Sequence, residues 1–179
     1  MLVLASRSPR RSELLRNAGI PFTVSVADVD ETVRNGESPE EYVVRVAEEK
    51  AMAIVAGPGD VVLGADTTVV IDGRILGKPA DADDAVRMLS LLQDRRHDVI
   101  TGICVRKPRE VVRDWAATKV WFAAMSGDQI REYVASGEPM DKAGAYAIQG
   151  LASRYIERID GSYTNVVGLP VALVYKHIL

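Results

Sequence analysis

Three arginines crowd the start of a helix in the opening stretch Ser6-Arg-Ser-Pro-Arg-Arg11. Ser8 and Pro9 supply an N-cap and a first-turn proline. Arg7, Arg10 and Arg11 add charge where unsatisfied N–H groups are already positive, at a few tenths of a kcal/mol each and up to about 1. Helix stability does not account for them, but an anion does, because backbone donors and guanidinium forks together suit phosphate. Lys50 stands inside the apolar stripe Val43, Val46, Ala47, Ala51, Ile54. An ammonium there snorkels out or meets an anion, and beside a phosphate-like site the anion is expected. Asp66 interrupts the apolar run Val61–Ile71, where a carboxylate must be paired, protonated or metal-bound. Its chemistry would be that of a general base or a Mg²⁺ ligand, and its structural alternative is to cap nearby amides. Glu31, in the acidic loop Asp28-Val-Asp-Glu31, is a candidate second carboxylate for a metal. Lys78 follows a hairpin in Gly77-Lys78-Pro79 and is a candidate phosphate contact. The segment from Gly73 is one spacer short of a Walker A loop and has Pro79 where Ser or Thr is required.

These groups need elements to position them. A short buried strand precedes the first helix, which the pattern predicts over residues 9–18 with Leu14, Leu15 and Ala18 inward, ended by Gly19 and Pro21. Residues 22–26 alternate as a strand. Ser38-Pro39-Glu40-Glu41 opens a helix predicted to reach Ala56. Residues 61–71 read as strand on either side of Gly64–Thr67, and Asp72-Gly73 turns the chain back into 74–76. A helix is expected over 81–92, a hairpin of long strands over 97–122 with Cys104 as a core residue and both Trp115 and Trp121 packed on the sheet, and a helix over 126–136. Residues 138–150 lose all periodicity and read as a shaped loop bearing Gln149. A strand over 154–159, a turn over 160–165 and a closing helix from Pro170 complete the chain.

The 179 residues fit a single domain, residues 1–179, with an ordinary globular balance of 47% apolar and 26% charged residues. A net charge of −3 argues against binding nucleic-acid polymers or an anionic membrane. One cysteine and two distant histidines offer neither a disulfide nor a zinc site. No apolar run is long enough to span a bilayer, and Met1–Ala5 is too short for a signal peptide, so a cytoplasmic protein is expected. Without a Ser-His-Asp pattern, a GxSxG or an activated cysteine, nucleophilic catalysis lacks support. Basic groups beside a few acids suit a polyphosphate with Mg²⁺ and attack of water on a phosphoanhydride.

Five segments together resemble the Maf family of nucleoside triphosphate pyrophosphatases: 6–11, Gly64-Ala-Asp-Thr67, Gly77-Lys-Pro79, Glu138–Gly150 and Asn165-Val-Val-Gly-Leu-Pro170. They arrive in the family's order and cover essentially the whole chain. The resemblance implies an α/β fold: an elongated mixed sheet with flanking helices and two lobes around a central cleft, related to the inosine triphosphatases. It implies hydrolysis of a nucleoside triphosphate to monophosphate and pyrophosphate with a divalent metal, and it suggests a homodimer. By position, Asp66 matches the family's catalytic acid, and Ser8, Arg10, Arg11, Glu31, Lys50 and Lys78 match its polar cleft residues. Arg10, Thr67 and Gln149 fall where subfamilies differ in substrate. The branch resembling 7-methyl-GTP pyrophosphatases carries Trp and Glu at the positions of Arg10 and Gln149; Arg and Gln here resemble the dTTP/UTP branch. The amide of Gln149 can pair with a pyrimidine's imide edge. A non-catalytic nucleotide-binding regulator of septum formation is the competing reading.

Overall fold

In the computed structural model, which describes residues 1–179, the chain begins with strand β1 (Leu2–Leu4), fully apolar and buried. It turns at Ser6–Ser8 into helix α1 (Pro9–Asn17), which buries Leu14 and Leu15. The helix stops one residue before Ala18, which becomes its C-cap and is exposed instead of inward. Strand β2 (Phe22–Val24) pairs parallel with β1, Leu2 opposite Phe22. Helix α2 (Pro39–Met52) is opened by a reciprocal pair of bonds: the Ser38 hydroxyl accepts from Glu41 N–H, and the Glu41 carboxylate accepts from Ser38 N–H. It ends short of the expected Ala56. The Ile54 carbonyl is taken by the Arg106 guanidinium at 2.6 Å while the Ile54 side chain is buried.

Strand β3 (Val61–Ile71) is continuous, not two pieces flanking Gly64–Thr67. Asp66 does not break it because the carboxylate finds a cation without any bend of the backbone. Strand β4 (Arg74–Leu76) returns antiparallel through Asp72-Gly73, both residues left-handed as a tight hairpin requires. Helix α3 (Ala82–Leu92) is capped by Asp81 and buries Ala85, Met88, Leu89 and Leu92. Strands β5 (Arg96–Lys107) and β6 (Glu110–Phe122) follow. Cys104 is buried and its thiol is pushed up to about 11 by that burial, as an inert core residue should be. Trp121 carries the Arg158 guanidinium over its ring, 4.4 Å from the centroid. Trp115, expected to pack on the sheet, is exposed on an outward position of β6.

Helix α4 (Gly127–Ala135) repeats the reciprocal cap with Ser126 and Gln129. Residues 138–150 differ from a surface loop. Single 3₁₀ turns form at Glu138–Asp141 and Ala143–Ala145, and the left-handed backbone of Gly144 and Ala145 turns Ala145 and Tyr146 into the core. A further 3₁₀ turn, Leu151–Tyr155, delays strand β7 (Ile156–Asp160), which pairs antiparallel with β6. A short helix α5 (Tyr163–Val167) replaces part of the expected turn, its first amides met by the Ser162 hydroxyl at Asn165 N–H. Helix α6 (Val171–Ile178) starts after Pro170. No helix is long and apolar enough to cross a membrane.

The strands form one mixed sheet in the order β2-β1-β3-β5-β6-β7, with β4 on β3. By packing the chain divides into two compact units. The first comprises Met1–Thr67, Ile100–Ala116 and Gly168–Leu179, and its core includes Val3, Ala47, Ala51, Ile54, Val62 and Cys104. Here α2 lies directly on the sheet because two strand residues have no side chain. A Cβ on Gly64 would overlap the Ala47 carbonyl, and one on Gly102 would overlap the Val43 backbone. The second unit comprises Thr68–Val99 and Ala117–Val167; α3, α4 and the 138–155 turns pack around Leu89, Leu92, Phe122, Tyr133 and Tyr146.

Candidate active site

Within the first unit, the contact of α2 with β3 brings a helix lysine to a strand aspartate. Lys50 Nζ donates to Asp66 Oδ1 at 2.7 Å and pairs with Glu31 Oε1 at 2.9 Å. Lys50 therefore meets carboxylates, and its aliphatic stem completes the buried stripe of α2. Asp66 is 6% exposed. Burial pushes its carboxyl above the usual carboxylate range; the Lys50 and Arg11 charges oppose that rise, and the Glu31 charge adds to it. A buried carboxylate that is harder to ionise is also a better proton acceptor.

Glu31 sits on an irregular segment that α2 holds in place. The Tyr42 hydroxyl donates to the Glu31 carbonyl at 3.0 Å, and Arg45 donates to the Thr32 carbonyl and to both oxygens of Glu37. Arg45 draws Glu37 down to about 2. The Glu31 side chain itself remains half exposed.

The arginines of the opening stretch have separate fates. Arg7 pairs with Asp28 on the surface at 2.8 Å. Ser8 and Arg10 are half-buried at the start of α1; Ser8 makes no side-chain cap bond there, and its N–H donates to the Ser6 hydroxyl. Arg11 points inward. Its Nε donates to the Gly168 carbonyl at 2.8 Å, Nη1 to Ser6 Oγ at 3.1 Å and Nη2 to Thr67 Oγ1 at 3.0 Å. Burial lowers the Arg11 pKa while the Asp66 charge resists that change. The Thr67 hydroxyl also meets Thr101 Oγ1 at 2.9 Å and the Gly168 carbonyl at 3.2 Å, which fills its one donor and two acceptor positions. Arg11 thus ties the turn after β1, the middle of β3 and the segment before α6 to one point beside Asp66.

A divalent cation fits this donor set in one manner. No three His, Cys, Asp or Glu side chains gather as a cage. Asp66 and Glu31 converge on Lys50 Nζ through one oxygen each, so a cation beside the ammonium would use their other oxygens, and Mg²⁺ bound with a polyphosphate needs only one or two carboxylates besides phosphate oxygens and water.

The remaining two candidates belong to the second unit. Lys78 is exposed on the bend after β4, and Gln149 is exposed on a turn at Ala147–Gly150. Their segments are joined where Gly144 N–H donates to the Gly77 carbonyl at 3.0 Å. Sequence reasoning did not single out Ser6, Thr101, Gly168 or Tyr42. A hydroxyl inside the apolar run Val99–Val105 was a usable signal for Thr101, since it must find a buried partner. Nothing local marks Gly168, whose role is a carbonyl.

The family model described as Maf-like protein matches residues 1–179. A dTTP/UTP pyrophosphatase of Koribacter versatilis (strain Ellin345) is 50% identical over 176 residues, 98% of this chain and 91% of that protein. A dTTP/UTP pyrophosphatase of Symbiobacterium thermophilum is 54% identical over 171 residues, 95% of this chain and 88% of that protein. Among solved structures, the Ham1 protein of Staphylococcus aureus is similar with a TM-score of 0.46 and 19% identity, over 68% of this chain and 71% of that one. The family match spans every segment that carries the site, from the arginine turn to Gly168, and on that match this chain belongs to the Maf family.

Proposed function

We propose that this protein is a nucleoside triphosphate pyrophosphatase that hydrolyses dTTP and UTP to the monophosphate and pyrophosphate. The observation that carries the reading is the buried Asp66 carboxylate, raised in pKa and held by Lys50 at 2.7 Å, in a chain half identical to dTTP/UTP pyrophosphatases. Asp66 takes the proton of the attacking water, and Lys50 keeps the carboxylate ionised and oriented while its positive charge opposes that of the phosphates. Ser8 and Arg10 offer donors at the start of α1 to phosphate oxygens, and Lys78 is assigned to the same charge. Arg11 acts chiefly by holding Thr67 and the Gly168 carbonyl. Glu31 would hold Mg²⁺ or Mn²⁺, with Asp66 as a second ligand where it serves in place of its role as base, and the cation would supply Lewis-acid polarisation of the phosphoanhydride. Arg10, Thr67 and Gln149 are assigned to substrate choice, Gln149 through its amide and the imide edge of thymine or uracil. A homodimer, which rests on the family resemblance, and a cytoplasmic location, which rests on the sequence having no bilayer-spanning apolar run, belong to the same proposal.

The test is pyrophosphate release from dTTP, UTP, CTP, GTP, ITP and 7-methyl-GTP with Mg²⁺ or Mn²⁺, by the wild type and by Asp66→Asn. Preference for dTTP and UTP is expected, with a loss of about 10²–10⁴-fold in the variant. Tight nucleotide binding without release would move the protein to the regulator class. Equal turnover by both proteins removes Asp66 from the mechanism.

A further inference from the structure

Gln149 rides on a turn that one pair of side chains holds at both ends. The turn is closed by Gly150 N–H donating to the Ala147 carbonyl at 3.1 Å. At its start, Ala147 N–H donates to the Tyr133 hydroxyl at 3.3 Å; at its end, Leu151 N–H donates to Glu138 Oε2 at 3.0 Å. The pair is itself joined, the Tyr133 hydroxyl donating to Glu138 Oε1 at 2.7 Å. Gly150 leaves the space that the carboxylate fills, since a Cβ there would overlap the Glu138 side chain. Tyr133 is fully buried on α4 and cannot swing away. Glu138 is tied through its carbonyl, which accepts from Lys142 Nζ at 2.8 Å.

We propose that Tyr133 and Glu138 are positioning residues for nucleotide selection, fixing the Ala147–Gly150 turn so that the Gln149 amide is presented in one orientation. The inference rests on the reading of Gln149 as a base contact. An exposed glutamine has several rotamers, and reading an imide edge needs its carbonyl and its NH₂ in fixed places. The side chain's reach is then set by the backbone that carries it. Both flanking amides depend on one hydroxyl–carboxylate unit, so losing either member loosens both ends of the turn. The same segment is linked through Gly144 to the Gly77 carbonyl, one residue from Lys78.

The test compares Tyr133→Phe, Glu138→Gln and Gln149→Ala, alone and in pairs, by steady-state pyrophosphate release from dTTP, UTP and CTP. Tyr133→Phe is expected to raise KM for dTTP and UTP about tenfold, as loss of one hydrogen bond's worth of orientation would. The kcat value should stay within about threefold and the preference over CTP should narrow, because the proton-transfer geometry at Asp66 is untouched. In the Gln149→Ala background the Tyr133 change should add nothing to the loss of preference. Glu138→Gln keeps the shape and one acceptor and should fall between wild type and Tyr133→Phe; it also serves if the phenylalanine variant fails to fold. Hydrogen exchange at Ala147 and Leu151 should accelerate in both variants. Faster exchange with unchanged preference overturns the proposal and leaves Gln149 in its role. Narrowed preference in Tyr133→Phe with none in Gln149→Ala removes Gln149 as the base contact and keeps the clamp, acting through another residue of the turn.

Discussion

Asp66 and Gln149 are held by different kinds of structure. Asp66 lies in the middle of an eleven-residue strand, under a helix that two glycines admit to the sheet, and its partner is Lys50 on that helix. Gln149 lies between 3₁₀ turns, and the bonds that fix its segment run from backbone amides to two side chains. A group placed by a ladder and a packed helix has one position, so changes around it should act nearly all or none. A group hung from a few bonds on irregular backbone can shift by degrees. The two regions also store opposite electrostatic costs. Burial raises Asp66, so its contribution to stability is full below the unfolded pKa and is lost as pH rises through the folded one. Burial lowers His97, so its contribution is lost as pH falls.

The largest break in this comparison comes from Lys50→Ala. It removes the cation that opposes the burial of Asp66, so the acid limb of kcat/KM should move to higher pH. The rate on the plateau should fall by about 10²–10³-fold, the scale of losing one charge-stabilising donor. A pH profile of kcat/KM for both proteins measures each effect. A lower rate with an unmoved limb would mean that the residue titrating in the profile is not Asp66.

Gly64→Ala should be next. The new methyl group meets the Ala47 carbonyl, so α2 must lift from β3, at a cost of about 1–3 kcal/mol. Activity should fall more than that stability loss explains, since Lys50 moves with the helix away from Asp66. Gly59→Ala, where a Cβ meets nothing within 4 Å, is the control and should leave both unchanged. Denaturant unfolding beside pyrophosphate release separates the two losses.

His97→Phe probes the other region. His97 Nε2 meets the Tyr146 hydroxyl at 2.7 Å, its Nδ1 is buried without a partner, and burial lowers its pKa to about 3. The unfolded chain takes up that proton first, from about pH 6.5 downward, so stability falls by about 1.4 kcal/mol one pH unit below that value. Phenylalanine keeps the edge contacts with Phe122 and Tyr146 and removes the titration. The unfolding free energy of the variant should therefore lose most of its slope between pH 6.5 and 5. An unchanged slope would assign it to other groups.

The same contrast governs what could be read from the sequence. The strand residues flanking Gly64–Thr67, the stripe of α2 and both helix caps follow from periodicity and local chemistry, and so does the need for a charge beside Lys50. What escaped was tertiary. In the sequence Arg11 is one of three arginines crowding a helix start suited to phosphate, and only the fold reveals that Ser6, Thr67 and the Gly168 carbonyl surround it. The segment 138–150 has no period because its turns are set by distant partners: Val69 beneath Gly144, and Tyr133 and Glu138 around Ala147–Leu151. Ala145 and Tyr146 consequently reach the core from a stretch that reads as loop. Trp115 failed in the other direction, since alternation marks a strand's two faces without saying which of them is covered.

Glu31 joins Asp66 at Lys50 but stands on irregular backbone, which makes Glu31→Gln the finest division between the two kinds of placement. Its negative charge raises Asp66 in pKa, so its removal should shift the acid limb to lower pH, opposite in sign to Lys50→Ala. The shift should be the smaller of the two, because the Glu31 side chain is half exposed and solvent screens it. If Glu31 also holds the divalent cation, the concentration of Mg²⁺ giving half the maximal rate should rise in the same variant. A moved limb with an unchanged Mg²⁺ requirement confines Glu31 to setting the charge around Asp66. Both changes together place a cation ligand on a segment that Tyr42 and Arg45 hold to α2, and then weakening either tether should raise the Mg²⁺ requirement with a smaller movement of the limb than in Glu31→Gln, since the Glu31 charge is displaced and not removed.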